Sequence, residues 1–154
     1  MSDVVDSTEL RELYRELILD HAKHPRHFGR LEPATHHARG VNPLCGDRLE
    51  LYLNVDGDGR IDDVRFEGAG CAISVASASL LTETVGGLDT SAALDYFAAL
   101  TAQLTGGKSD ADIELGKLRA LEGVREFPSR VKCATLAWHA LDRALHNETQ
   151  ATTE

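Results

Sequence analysis

The clearest periodic signal in the chain lies between Arg48 and Val55. Apolar and polar residues alternate there, with Leu49, Leu51, Leu53 and Val55 on one side. A period of two predicts a strand with one face buried. Asp56-Gly57-Asp58-Gly59 follows, with the composition of a hairpin turn. Val64 and Phe66 sit on the return strand, which ends at Gly68-Ala69-Gly70. The stretch from His27 to Pro43 mixes Gly, Pro, His and Arg and reads as a long ordered loop, with a short strand near Ala38 to Val41.

Helical spacing occupies most of the rest. Leu10, Leu13, Tyr14, Leu17 and Ile18 recur at a helix period. Asp6 with Glu9 has the form of a capping box at the start of that helix. Its end is expected near His24, because Pro25 disfavours a helical residue before it. Cys71 to Thr84 is mostly small and uncharged and predicts a buried helix. Thr90 to Leu104 predicts another, with Leu94, Phe97, Ala98 and Thr101 inward and Gly106-Gly107 as its breaker. A short helix is expected over Asp110 to Ala120. A final one is expected from about Arg130 to His146, burying Val131, Ala134, Trp138, Leu141 and Leu145. Residues 1–6 and 147–154 are polar and expected to fray. No linker divides the chain, so residues 1–154 are expected to form one domain. Strands gathered together and followed by helices predict an α+β fold, a small antiparallel sheet packed against several helices.

Composition narrows the function. The chain has 154 residues, of which 42% are hydrophobic and 27% charged, as in a globular protein. Its formal net charge is −9. Non-specific nucleic-acid binding needs a basic face, so no nucleic-acid partner is expected. The longest uncharged run, Gly68 to Thr82, is shorter than the roughly 20 residues of a membrane helix, so no membrane partner is expected either. The first eight residues carry Asp3 and Asp6 and no Lys or Arg, unlike a signal peptide. A cytoplasmic location is the resulting expectation.

Three cysteines, Cys45, Cys71 and Cys133, carry the candidate chemistry. An odd number, widely separated, argues against a disulfide framework. All three fall at predicted element boundaries. Cys45-Gly46-Asp47 sets a thiol and a carboxylate two residues apart, and Gly46 lets the backbone curl to aim both at one point. Gly68-Ala69-Gly70 leads into Cys71. Cys133 falls in the first turn of the predicted last helix, with Arg130 and Lys132 near it, and both effects lower a thiol pKa. Three thiolates and one carboxylate would complete a tetrahedral zinc site. The plain alternative is three unrelated cysteines, since no CxxC pair is present. Against it, Cys45 and Cys71 sit beside Gly at loop positions, where a core cysteine has little to bury against.

Other candidates are weaker. His21, His24 and His27 are spaced by three, but Pro25 interrupts them, and a partly exposed polar surface is expected. Arg60 and Ile61 stand where a calcium loop needs a ligand and a Gly. Ile73 stands where a dinucleotide loop needs its third Gly. Ser74, Ser77 and Ser79 are expected to give small packing surfaces.

Four blocks together carry a resemblance. They are Leu19-Asp20-His21 with His24-Pro25-Arg26; Asn42-Pro43-Leu44-Cys45-Gly46-Asp47; Gly68-Ala69-Gly70-Cys71-Ala72-Ile73-Ser74 with Ala76-Ser77-Ala78-Ser79; and Arg130-Val131-Lys132-Cys133-Ala134. In this order the chain resembles the IscU/NifU-like iron–sulfur cluster assembly proteins, from about Leu10 to Leu145. It is most similar to the SufU-type branch. Scaffold-type members carry His immediately before the third cysteine, where this chain has Lys132. The resemblance implies a zinc-dependent sulfurtransferase that accepts persulfide sulfur from a SufS-type cysteine desulfurase and passes it towards downstream iron–sulfur assembly proteins. It implies Cys45, Asp47, Cys71 and Cys133 as zinc ligands, Cys45 as sulfur acceptor and Arg130 as a residue near the metal. The alternative is a scaffold on which an iron–sulfur cluster is assembled on the same ligands.

Overall fold

The computed structural model describes residues 7–107 and 113–153. Helix α1 (Ser7–Lys23) is followed by β1 (His36–Asn42), β2 (Asp47–Val55) and β3 (Ile61–Ala69). Helices α2 (Ala72–Val85) and α3 (Thr90–Thr105), a 3-10 helix (Gly116–Glu126), α4 (Pro128–Leu145) and β4 (Gln150–Thr152) complete the order. The fold is α+β. The capping position Asp6 and residues Asp110 to Asp112 lie outside the described residues.

The sheet order is β3-β2-β1-β4. β1 and β2 pair antiparallel from His36↔Leu53 to Asn42↔Asp47, and β2 and β3 pair antiparallel from Arg48↔Ala69 to Val55↔Ile61. The alternation holds for Leu49, Leu51 and Leu53, which are buried, while Val55 is half-buried and Tyr52 on the other face is buried as well. Asp56 closes the hairpin, its Oδ1 accepting from the amides of Asp58 (2.9 Å) and Arg60 (3.0 Å).

Residues 147–154, expected to fray, contain β4, which pairs parallel with β1 through Arg39↔Gln150, Gly40↔Ala151 and Val41↔Thr152. The sheet is therefore mixed rather than purely antiparallel. Ala151 is buried, which gives this short strand an apolar anchor. The helix expected over Asp110 to Ala120 is instead the 3-10 helix from Gly116, burying Leu118, Leu121 and Val124. In α3 the inward residues are Ala93, Ala99, Leu100 and Leu104; Ala98 is exposed, one side of the helix away from the expected stripe.

Helix α2 packs against α1, α4 and β3. Its small residues let these neighbours approach, and Ser74, Ala76, Ser77, Ala78 and Ser79 are all buried. The serines do more than fill space. Ser77 Oγ donates to the Ala134 carbonyl (2.5 Å) and accepts from Trp138 Nε1 (3.2 Å), satisfying the polar atom of the largest fully buried side chain. Among the described residues, no helix is long and apolar enough to cross a membrane.

His21 departs from expectation. His24 and His27 are exposed, but His21 is fully buried, because Ser79, 58 positions away, meets its Nδ1 at 2.7 Å. Its Nε2 lies 3.5 Å from Glu83 Oε1. Burial, aided by the nearby Arg26 charge, lowers the His21 pKa from its ordinary 6.5; Glu83 and Asp20 oppose the shift without reversing it. Burial lowers His139 likewise. A histidine whose pKa is depressed by folding binds fewer protons folded than unfolded just below pH 6.5. Its contribution is fully present above that pH and is lost as pH falls below it. Melting of the metal-free protein should therefore decline as pH falls from about 7 through 6.5 and below. The decline should be shallower in His21→Gln. An equal slope in that variant would contradict the assignment.

Candidate metal centre

Three loop-to-element junctions converge at one end of the sheet. Asn42↔Asp47 is the last pair of the β1–β2 ladder, and residues 43–46 form the turn between them. Gly46 turns at φ +73°, a conformation that favours glycine, and the Cys45 amide donates to the Asn42 carbonyl (3.2 Å). Cys45 is thereby half-buried at the head of the turn, while Asp47, the first residue of β2, is buried. From β3 the chain passes through Gly70 to Cys71, the N-cap of α2, whose Sγ accepts from the Ser74 amide (3.5 Å). Cys133 projects from the second turn of α4 and is fully buried.

The Sγ atoms of Cys45 and Cys133 and a carboxylate oxygen of Asp47 all lie within 4.8 Å of one another. Asp47 Oδ1 accepts from the Cys71 amide (2.8 Å), which ties the fourth residue to the trio through its backbone. The Cys71 thiol itself is outside the trio, accepting from the Ser74 amide of the helix that it caps. Gly70 makes the approach possible: a Cβ there would stand 2.5 Å from Asp47 Oδ1. Arg130 is exposed beside Cys71 and Cys133, and its nearness to these two sulfurs, Cys71 first, raises the guanidinium pKa.

The Cys133 thiol is not activated as the sequence suggested. Burial first, then the facing Asp47, Cys45 and Cys71 side chains, pushes its pKa far above the ordinary thiol value. The helix starts at Pro128, so Cys133 lies beyond the first turn, where the helix terminus acts most strongly. Without a cation, Cys133 is a neutral thiol at physiological pH.

The donors suit a thiophilic dication. Asp47 is only 1% exposed, and among the described residues it makes no ion pair. A buried carboxylate without a cation is costly. Two thiols within 4.8 Å of it, and a third beside it, form a donor set that zinc accepts.

Two residues of this site stand in the sequence blocks without having been assigned a part in it. Gly70 is one. Asn42 is the other: it is fully buried, and its Nδ2 donates to Asp47 Oδ2 (3.4 Å) and Cys133 Sγ (3.5 Å). The signal was present, since counting by twos from buried Ala38 through Gly40 puts Asn42 on the buried face of β1. A cleft of about 1200 Å³ between α1 and the 3-10 helix reaches Cys71 and Arg130, past Leu10, Tyr14, Ile18 and Phe127.

Residues 13–152 match the model of the NifU-like N-terminal domain. The chain belongs to this family. Among its relatives, a Bacillus subtilis protein named zinc-dependent sulfurtransferase SufU is 42% identical over 142 residues, covering 92% of this chain and 95% of that protein. A Streptococcus pyogenes protein named iron–sulfur cluster assembly scaffold protein IscU is 38% identical, covering 94% and 89% respectively. The NifU-like fold is also seen in a crystal structure from Fervidobacterium islandicum AW-1, described as a candidate iron–sulfur cluster assembly scaffold protein for the SUF system. It superposes with a TM-score of 0.80 at 36% identity, over 88% of this chain and 98% of that one.

Proposed function

We propose that this protein serves iron–sulfur cluster assembly as a zinc-dependent sulfurtransferase, accepting persulfide sulfur from a SufS-type cysteine desulfurase. The observation that carries the reading is the meeting of Cys45, Asp47 and Cys133 within 4.8 Å, with Cys45 alone of the three half-exposed. Likeness to the Bacillus subtilis sulfurtransferase supports it. The ligand set is Cys45, Asp47, Cys71 and Cys133. Bound zinc would keep its thiolates deprotonated at neutral pH.

The acceptor is Cys45. It sits in a turn whose Gly46 gives it freedom to swing, whereas Cys133 is fixed in α4 and Cys71 caps α2. The Cys45 thiolate attacks the terminal sulfur of the partner's persulfide. A Cys45 S–S bond forms, the partner's S–S bond breaks, and the partner's cysteine leaves as a thiolate, with no net redox change. Arg130, exposed beside Cys71 and Cys133, supplies a fixed positive charge where anionic sulfur gathers. Downstream iron–sulfur assembly proteins then take the sulfur.

Elemental analysis should find one zinc per chain. Mass spectrometry after incubation with a cysteine desulfurase and cysteine should place the added sulfur on Cys45. Persulfide on Cys71 or Cys133 and absent from Cys45, or full desulfurase stimulation by Cys45→Ser, would overturn the reading. The second reading is a scaffold, favoured by relatives named as scaffold proteins. A stable reconstituted cluster, transferred efficiently to an acceptor protein, would select it.

A further inference from the structure

We infer that Asn42 is a positioning residue whose side-chain amide anchors Cys133 and Asp47 and so leaves Cys45 as the thiol free to leave. This rests on the zinc and sulfur-acceptor reading above. Asn42 reaches all three members of the trio, in two different ways. Its side chain supports two of them, donating from Nδ2 to Cys133 Sγ (3.5 Å) and to Asp47 Oδ2 (3.4 Å). The two hydrogens of one NH2 group serve these two acceptors. Its contact with Cys45 is through the backbone, the Asn42 carbonyl accepting from the Cys45 amide (3.2 Å).

The orientation of the amide follows from its surroundings. Turned over, its oxygen would face a carboxylate oxygen and a sulfur, two acceptors. In the observed orientation Oδ1 is buried and has no hydrogen-bond partner among the described residues. A buried acceptor left unpaired costs stability, and an apolar side chain of the same size would not carry that cost. The amide is therefore poorly explained by packing and well explained by the two acceptors on its donor side.

The consequence is an asymmetry among the thiols. An N–H···S bond draws charge from the sulfur and fixes its direction, and partners that support ligands in this way tune a metal site. Cys133 has that support from Asn42, on a helix and fully buried. Cys45, in its half-exposed turn, does not receive it from Asn42. The ligand best placed to leave is thus chosen by what holds the other one.

Asn42→Leu, similar in size and without a donor, is the test. The metal-free variant should melt close to wild type, because losing the unpaired Oδ1 offsets the hydrogen bonds lost by Asp47 Oδ2 and Cys133 Sγ. Its zinc affinity, measured by competition with a chelator, should fall about 10–100-fold. With cobalt(II) as probe, the thiolate charge-transfer band should move to lower energy, since the unsupported sulfur gives up charge more readily. Persulfide from a desulfurase should spread from Cys45 to Cys133. Asn42→Ser, which keeps one donor, should recover part of the affinity, and it carries the measurement should the Leu variant fail to fold. Wild-type zinc affinity together with an unmoved cobalt band, in whichever variant folds, overturns the inference while leaving the zinc reading intact. Failure of the wild-type protein to bind zinc overturns both.

Discussion

Asp47→Asn is expected to release the metal while leaving the fold in place. The amide oxygen can still accept from the Cys71 backbone N–H, now 2.8 Å from Asp47 Oδ1, so the tie between β2 and the start of α2 survives. What disappears is the only anionic oxygen of the proposed ligand set. A structural zinc contributes about 10–16 kcal/mol. One donor of four accounts for about 3 kcal/mol of that, or about 100-fold in affinity. Melting of the metal-free variant should stay close to that of the metal-free wild type, because removing a buried charge offsets the bond lost where the new amide nitrogen faces Asn42 Nδ2. Asp47→Ala should lose zinc equally and melt lower, since it strands the Cys71 amide as well. Zinc should be quantified by elemental analysis after dialysis against a chelator, with desulfurase stimulation measured on the same samples. Full retention of zinc and stimulation in Asp47→Asn would remove Asp47 from the ligand set.

Gly68→Ala should cost the fold more than any other single methyl added near the site. Gly68 adopts φ +141°, and a Cβ there would overlap the Arg48 carbonyl oxygen and crowd the Leu49 Cα. Both are backbone atoms of the paired strand β2, so neither can step aside. Backbone strain of about 1–3 kcal/mol adds to an overpacking cost of similar size. A loss of about 3–5 kcal/mol is expected, a large part of a typical domain's stability. Gly57→Ala in the hairpin turn is the control: a Cβ there meets nothing within 4 Å, so it should be near neutral. Chemical denaturation of the two variants gives the comparison directly. A Gly68→Ala protein as stable as Gly57→Ala would show that the β2–β3 ladder is wrongly placed.

How much of this was legible beforehand differs from feature to feature. The β2–β3 hairpin was legible because its signals are local: Leu49, Leu51 and Leu53 alternate, and Asp56-Gly57-Asp58-Gly59 turns the chain. Helix α2 was legible from its run of small uncharged residues, although its hydrogen bonds were not, since Ser77 meets Ala134 from 57 positions away. Three of the four motif blocks contain the residues that gather at the candidate site, while the first instead meets Ser79 and Glu83. They could not show that Asp47 would be buried, nor that Cys71 would turn to cap α2. The Cys133 thiol illustrates the limit. Its sequence neighbours, Arg130 and Lys132, argue for an easily ionised group, while its surroundings in space argue the reverse and prevail. His21 failed for the same reason: nothing near it in sequence reveals Ser79. β4 is three residues long, too short to show alternation, and is held by a partner strand more than a hundred residues earlier.

The sheet's two margins have a bearing on how this protein meets others. On one side β4 covers β1 at Arg39, Gly40 and Val41, so a seven-residue strand is fronted by a three-residue one. On the other, the segment before β1 leans on β3: the Gly29 amide donates to the Phe66 carbonyl (2.7 Å), and the Phe66 amide donates to the His27 carbonyl (3.1 Å). Short edges and covering loops are how sheets avoid recruiting foreign strands. Here they blunt both ends of the ladder at once. Backbone zippering with a neighbouring chain finds little purchase, which protects against self-association through β-strands. Recognition is left to side chains, on the helical faces and around the half-exposed thiol of Cys45.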